Sequence, residues 1–223
     1  TRRIADPLLG RQPFPPEPAT RDIDAPILNF DAQNYTGVNP PDTVGDVGPD
    51  HYVQAINNSS SSAVVIYSKT NGSVLAGPFT MASLGAPAPC YTGCGDPVVL
   101  YDGMADRWLM AEFAGSGNNI CIYVSKTPDP ISGGWWFYRL GPLTNFPDYP
   151  KFAAWPDAYY MTSNEGNAPP VYALDRTNML TGAVTWPSQR FTGPGLAGFD
   201  FESLTPGDLD GPDTPPAGAH AVF

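Results

Sequence analysis

The stretch "DPVVLYDGMADRWLMAEF", residues 96–113, reads as a strand, a tight polar turn and a second strand rich in aromatics. About fifty residues on, "DYPKFAAWPDAYYMTSN", residues 148–164, has the same outline. Upstream, "GDVGPDHYVQAINN", residues 45–58, has it again. Extended to their flanks, these become three units at 45–79, 95–140 and 147–191. Each has an Asp opener (Asp46, Asp96, Asp148), then an Asp just before an aromatic strand: Asp50 before Tyr52, Asp106 before Trp108, Asp157 before Tyr159. A third strand follows and ends in "SK" or "DR", at Lys69, Lys126 and Arg176, and then a fourth: "SVLAGPF", "WWFYRL", "AVTWPSQRF". Asp208 opens a fourth unit at 207–223.

Units of this size with four strands are the signature of β-propeller blades, because a lone four-stranded sheet leaves both faces bare and is stable only when stacked on its neighbours. The expected fold is therefore all-β: a β-propeller with blade repeats of about 50–60 residues, in an incomplete set that forms part of a larger propeller. Residues 1–38, with Pro7, Pro13, Pro15, Pro16, Pro18 and Pro26, read as an extended N-terminal arm ahead of blades spanning 39–223.

Composition agrees. The 223 residues include 27 Pro and 23 Gly, too many for a helical protein, while 42% hydrophobic residues suffice for a packed core. Acidic residues outnumber basic ones 22 to 11, for a net charge of −11, and the acids are 18 Asp against 4 Glu. Asp suits turns, where its carboxylate accepts from nearby backbone N–H groups, and it also suits calcium. The charge excludes the basic stripe that nucleic-acid binding needs. No apolar run is long enough to span a membrane. A start at Thr1 is the expectation for a mature, secreted product.

The strings "NPPDTVGDVGPDHYVQAIN", "GDPVVLYDGMADRWLMAEF", "DYPKFAAWPDAYYMTSN" and "LTPGDLDGPDTPPAGA" resemble a group of bacterial secreted or cell-surface proteins that are propeller-like and often joined to adhesion-type or sorting modules. The resemblance spans about residues 39–218. It implies an extracellular, cell-surface or periplasmic location and a propeller that continues beyond "PPAGA", completed by a second chain or by further blades. It implies no reaction. Its members tend to carry one cysteine ahead of "GDP", where this chain has Cys90 and Cys94.

Candidate chemistry is sparse. If the openers Asp46, Asp96, Asp148 and Asp208 hold equivalent positions, they converge at one mouth of the channel. There they, with Asp210 of "GDLDGPD", are candidate ligands for calcium; the alternative is that each caps its own turn. "GGWWFYRL" concentrates Trp135, Trp136, Tyr138 and Arg139, as a sugar- or peptide-binding platform does. Alternation puts Trp135, Phe137 and Arg139 on one face and Trp136 and Tyr138 on the other, which inter-blade packing also explains. Glu112, Glu165 and Glu202 are the rare glutamates that a glycosidase pair would draw on. Two histidines leave little material for a His-based triad, and no nucleophile-elbow, zinc-protease or phosphate-loop motif occurs. Cys121 pairs with Cys90 or Cys94, or else Cys90 and Cys94 close a local loop. Asn34, Asn57, Asn58 and Asn71 fit the N-glycan acceptor pattern.

The expected function is thus an extracytoplasmic scaffold for binding or assembly, recognising a glycan, a protein or an envelope partner. The alternatives are a secreted carbohydrate-active enzyme, with its site partly outside this chain, and a structural subunit of a larger complex.

Overall fold

The computed structural model describes residues 25–85, 90–166, 168–195, 203–211 and 213–223, and is all-β apart from two short helical turns. The expected arm over 1–24 and Glu202 lie outside the described residues.

Three antiparallel four-stranded sheets form in chain order, each a simple up-and-down meander. The first holds β1 (Val44–Val47), β2 (His51–Asn58), β3 (Ser61–Ser68) and β4 (Val74–Thr80), followed by a 3-10 turn at Met81–Leu84. The second holds β5 (Val98–Asp102), β6 (Arg107–Phe113), β7 (Ile120–Ser125) and β8 (Trp135–Leu140). The third holds β9 (Asp148–Ala154), β10 (Tyr159–Asn164), β11 (Pro170–Leu174) and β12 (Ser188–Thr192). The first strands lie side by side, β1 against β5 and β5 against β9.

The sheets stack through two apolar layers, and β6 shows why. Its alternate side chains serve both neighbours: Trp108 and Met110 pack with Val53, Val64 and Ile66 of the first sheet, while Leu109 and Ala111 pack with Tyr159 and Met161 of the third. A strand buried on both faces must be apolar throughout, which is why "WLMAEF" shows no polar alternation. Its one buried charge, Glu112, is therefore a feature that needs a partner.

Segments before and after the three sheets pack on parts of the outer faces of the stack. Phe30 packs on Tyr52 and Tyr67, with ring centroids 6.3 and 5.2 Å away, and the backbone N and Nε2 of Gln33 donate to Oε1 and O of Gln54, both at 3.0 Å. On the third sheet Thr162 Oγ1 donates to Leu204 O at 2.5 Å, Trp155 Nε1 donates to Gly207 O at 2.6 Å, and Phe223 packs edge-on against Tyr160.

Two expectations change. Residues 207–211 and 213–223 contain no strand; Gly207 N instead donates to Val222 O at 2.8 Å, folding the segment back on itself. Arg176 does not end a strand either: it opens α1 (Arg176–Leu180), whose first turn is capped by Asp175 accepting from Asn178 N at 3.0 Å. No helix of the described residues is long and apolar enough to cross a membrane.

Candidate functional site

The opener aspartates do not hold equivalent positions. Strand pairing sets Val47 opposite Tyr52, Tyr101 opposite Trp108, and Ala154 opposite Tyr159. Five residues before Val47, Tyr101 and Ala154 stand Asp42, Asp96 and Tyr149, all with left-handed backbone, φ 40°, 53° and 54°. Asp96 thus matches Asp42, whereas Asp46 lies one residue before the end of its strand. Spacing between openers misses this because the turn after Tyr101 is longer than the other two.

The carboxylates therefore form two groups at opposite ends of the inner strands. At the leading end, Asn57 ties the first sheet to the second: its Nδ2 donates to Asp42 Oδ2 at 2.6 Å and to Pro40 O at 3.0 Å, and its Oδ1 accepts from Asp96 N at 2.8 Å. Gly95, with φ 89°, brings the backbone so close that a Cβ would lie 2.6 Å from Asn57 Oδ1. Burial, the charges of Asp42 and Asp148, and a hydrogen bond to Asp42 push Asp96 up to about 6. Lys151 stands beside them over the Tyr149 ring, 3.4 Å from its centroid, with its pKa lowered by burial against the pull of the three carboxylates. A cavity of about 220 Å³ opens between these groups.

At the trailing end, Asp46 Oδ2 accepts from Tyr101 N at 2.6 Å and its Oδ1 from Val47 N at 2.7 Å, so it pins β1 to β5. Asp208 Oδ1 accepts from Ala154 N at 2.7 Å in the same way. Burial raises the pKa of both, and Asp210 adds to it through its charge. Asp42, Asp46 and Asp208 thus spend carboxylate oxygens on neighbouring donors. Among the described residues no set of three or more His, Cys, Asp or Glu is arranged to hold a metal ion.

Asp106, Asp157 and Lys69 are internal ties. Asp106 Oδ1 accepts from Tyr101 OH and Asp157 Oδ2 from Tyr160 OH, while Lys69 Nζ donates to Gly48 O at 2.9 Å. Asn57 is buried and fully bonded, which removes it as a glycan acceptor. Cys90 pairs with Cys121, 31 residues on, and Cys94 is free and exposed.

A cleft of about 660 Å³ runs along β8, the last strand of the second sheet. It gathers Trp136, Tyr138 and Arg139 from the sequence-predicted set, and adds Lys126, Val184 and Trp186. Trp135 also borders a second cavity of about 440 Å³ on the other face of the strand. The alternation expected for "WWFYRL" holds: Trp136 and Tyr138 pack toward the third sheet, Trp135 toward the first. Tyr138 OH donates to Met179 O at 2.7 Å and its ring meets Trp186 edge-on. Packing has already engaged Trp136, since Gly182 lies on its indole and Lys126 Nζ stands 4.1 Å from its centroid. Among the described residues no Asp, Glu or His lines either cavity.

Lys126 and Trp186 were the residues sequence reasoning missed here. Trp186 was visible only as one aromatic of "AVTWPSQRF", and nothing in that string says it crosses to the second sheet. No family model, curated protein or solved structure matches the chain.

Proposed function

We propose that the protein is a scaffold for binding or assembly outside the cytoplasm, built as part of a β-propeller that further sheets complete. The observation that carries this reading is the outward face of the third sheet. Strand pairing puts Phe191 of β12 opposite Val171, as Tyr138 of β8 lies opposite Ile122. Tyr138 is 5% exposed beneath the third sheet; Phe191 is 52% exposed, with Tyr160 and Ala173 beside it around a cavity of about 390 Å³. An aromatic at a position that the next sheet buries one step earlier suits a further sheet, from a second chain or from further sequence. The disulfide fits an oxidising compartment.

Sedimentation velocity of the purified chain tests the reading. Association above 23.8 kDa, lost in Phe191→Asp, is the expected result. A chain that stays monomeric at high concentration and binds no apolar dye on this face would overturn it.

A carbohydrate-active enzyme is the second reading, and one observation favours it: the hydrogen-bonded pair Asp42 and Asp96 beside Lys151, with Asp96 raised to about 6, has the form of an acid and a base sharing a proton. Oligosaccharide turnover with an acidic limb near pH 6, abolished by Asp96→Asn, supports it; absence of turnover across a polysaccharide panel sets it aside.

A further inference from the structure

We infer that β8 and the two cavities beside it dock an extended acidic segment of a partner protein; the inference rests on the scaffold reading and assigns its contact site.

The end strands of the three sheets differ in how they guard their free edge. β4 carries Pro78 and two register shifts, features that discourage pairing with another chain. β12 has every residue exposed, and its Arg190 is held by Glu165 at 3.1 Å. β8 has no proline and pairs with β7 without a shift over all six residues, from Trp135 to Leu140. Four of those six are aromatic. It is a regular, apolar edge, and two cavities adjoin it: one of about 660 Å³ lined by Trp135 through Arg139, and one of about 440 Å³ at its first residue, Trp135, against the first sheet.

Successive side chains of an extended segment point to opposite sides, so a strand laid along β8 sends alternate residues to the side of Trp136 and Tyr138 and to the side of Trp135 and Arg139, over the two cavities. Their linings supply apolar contacts, through Tyr138, Val184 and Trp186 on one side and Phe79, Leu84 and Ile131 on the other. The charge is specific. In a chain of net charge −11, Lys126 and Arg139 both line the larger cavity, no carboxylate does, and neither cation has an ion-pair partner among the described residues. An acidic segment supplies the missing partners. A sugar platform fits less well, because the Trp136 indole is already in contact with Gly182 and Lys126.

The test is selection from a phage-displayed library of random peptides of about twelve residues, long enough to run past the strand. The intact chain is the bait. The expected result is enrichment of peptides alternating Asp or Glu with Phe, Leu or Val. Their affinity, read by tryptophan fluorescence, should fall about tenfold or more in Arg139→Glu. Val184→Glu, at a side chain 98% exposed, should weaken the same peptides while leaving the fold intact. No enrichment, enrichment without acidic residues, or unchanged binding by both variants overturns the inference. Polygalacturonate binding that is sensitive to Arg139→Glu overturns it in favour of a glycan. Any of these results with the Phe191-dependent association preserved removes the site and leaves the scaffold reading standing.

Discussion

Among the described residues two carboxylates are fully buried, one at each junction between sheets, and the chain accommodates them in opposite ways. At the first junction Glu112 of β6 reaches into the start of β3, accepting from Ser61 Oγ at 2.8 and 2.9 Å and from Ser62 N at 2.9 Å. It meets no cation, and burial pushes it up to about 7 against those donors. At the second junction Asp102 takes a two-pronged contact from Arg176, at 2.7 and 2.9 Å, and accepts from Tyr159 OH at 2.8 Å. The lesson is that a carboxylate between sheets can be held by neutral donors, which leaves it responsive to pH, or by a permanent cation, which makes each partner depend on the other.

Arg176→Met should break the comparison most sharply. It strands the Asp102 charge in the core, and a loss of about 3–5 kcal/mol is expected in urea unfolding. Replacing both Asp102 and Arg176 by apolar residues should cost far less than either alone, because the stranded charge is then gone.

Opening the covalent tie at the first junction comes next. The Cys90–Cys121 bridge spans 31 residues, and Cys90→Ser with Cys121→Ser should destabilise the chain by about 3–4 kcal/mol, as judged by the denaturation midpoint. Equal midpoints with and without reductant would contradict the bridge.

Glu112 should then give the first junction a pH dependence of its own. Its folded pKa, about 7, lies above the ordinary value of 4.5, so between those values the native chain holds the extra proton. Stability is greatest below pH 4.5 for this group and falls as pH rises through 7, by roughly 3 kcal/mol in all. Glu112→Gln should flatten that slope in urea titrations run at successive pH values. A slope unchanged by the substitution would assign it to another group, Asp96 first.

The smallest effect belongs to the second junction's local support. Asp175→Ala removes the cap of α1, the helix that carries Arg176, and should cost about 1 kcal/mol. A much larger loss would mean that the helix end also positions the guanidinium.

Much of this was open to reading in the chain, and some was closed for definite reasons. "DRWLMAEF" announced a strand next to a turn, but that β6 is buried on both sides emerged only from the stacking of the sheets. The recurring Asp before each aromatic strand located the turns, and Asp106 and Asp157 do bond tyrosines of their own sheets. The aspartate openers misled because an Asp can close a turn, cap a neighbouring strand or face another carboxylate, and sequence spacing does not separate these uses. Asp42, unremarked among the openers, proved to be the match of Asp96. The cleft was half legible: the aromatics of "WWFYRL" announced themselves, but Lys126 and Trp186 reach β8 from other elements.

By itself the sequence determined that this is an all-β chain of short strands, with three segments that each suffice for one sheet, because strand period, turn residues and apolar runs are local properties. Only the tertiary structure decided which aspartates meet, that Cys121 takes Cys90 rather than Cys94, and that Arg176 answers Asp102 across 74 residues. Those outcomes depend on how one sheet is turned and stepped against the next, and that is fixed by packing two faces together rather than by any stretch of chain read alone.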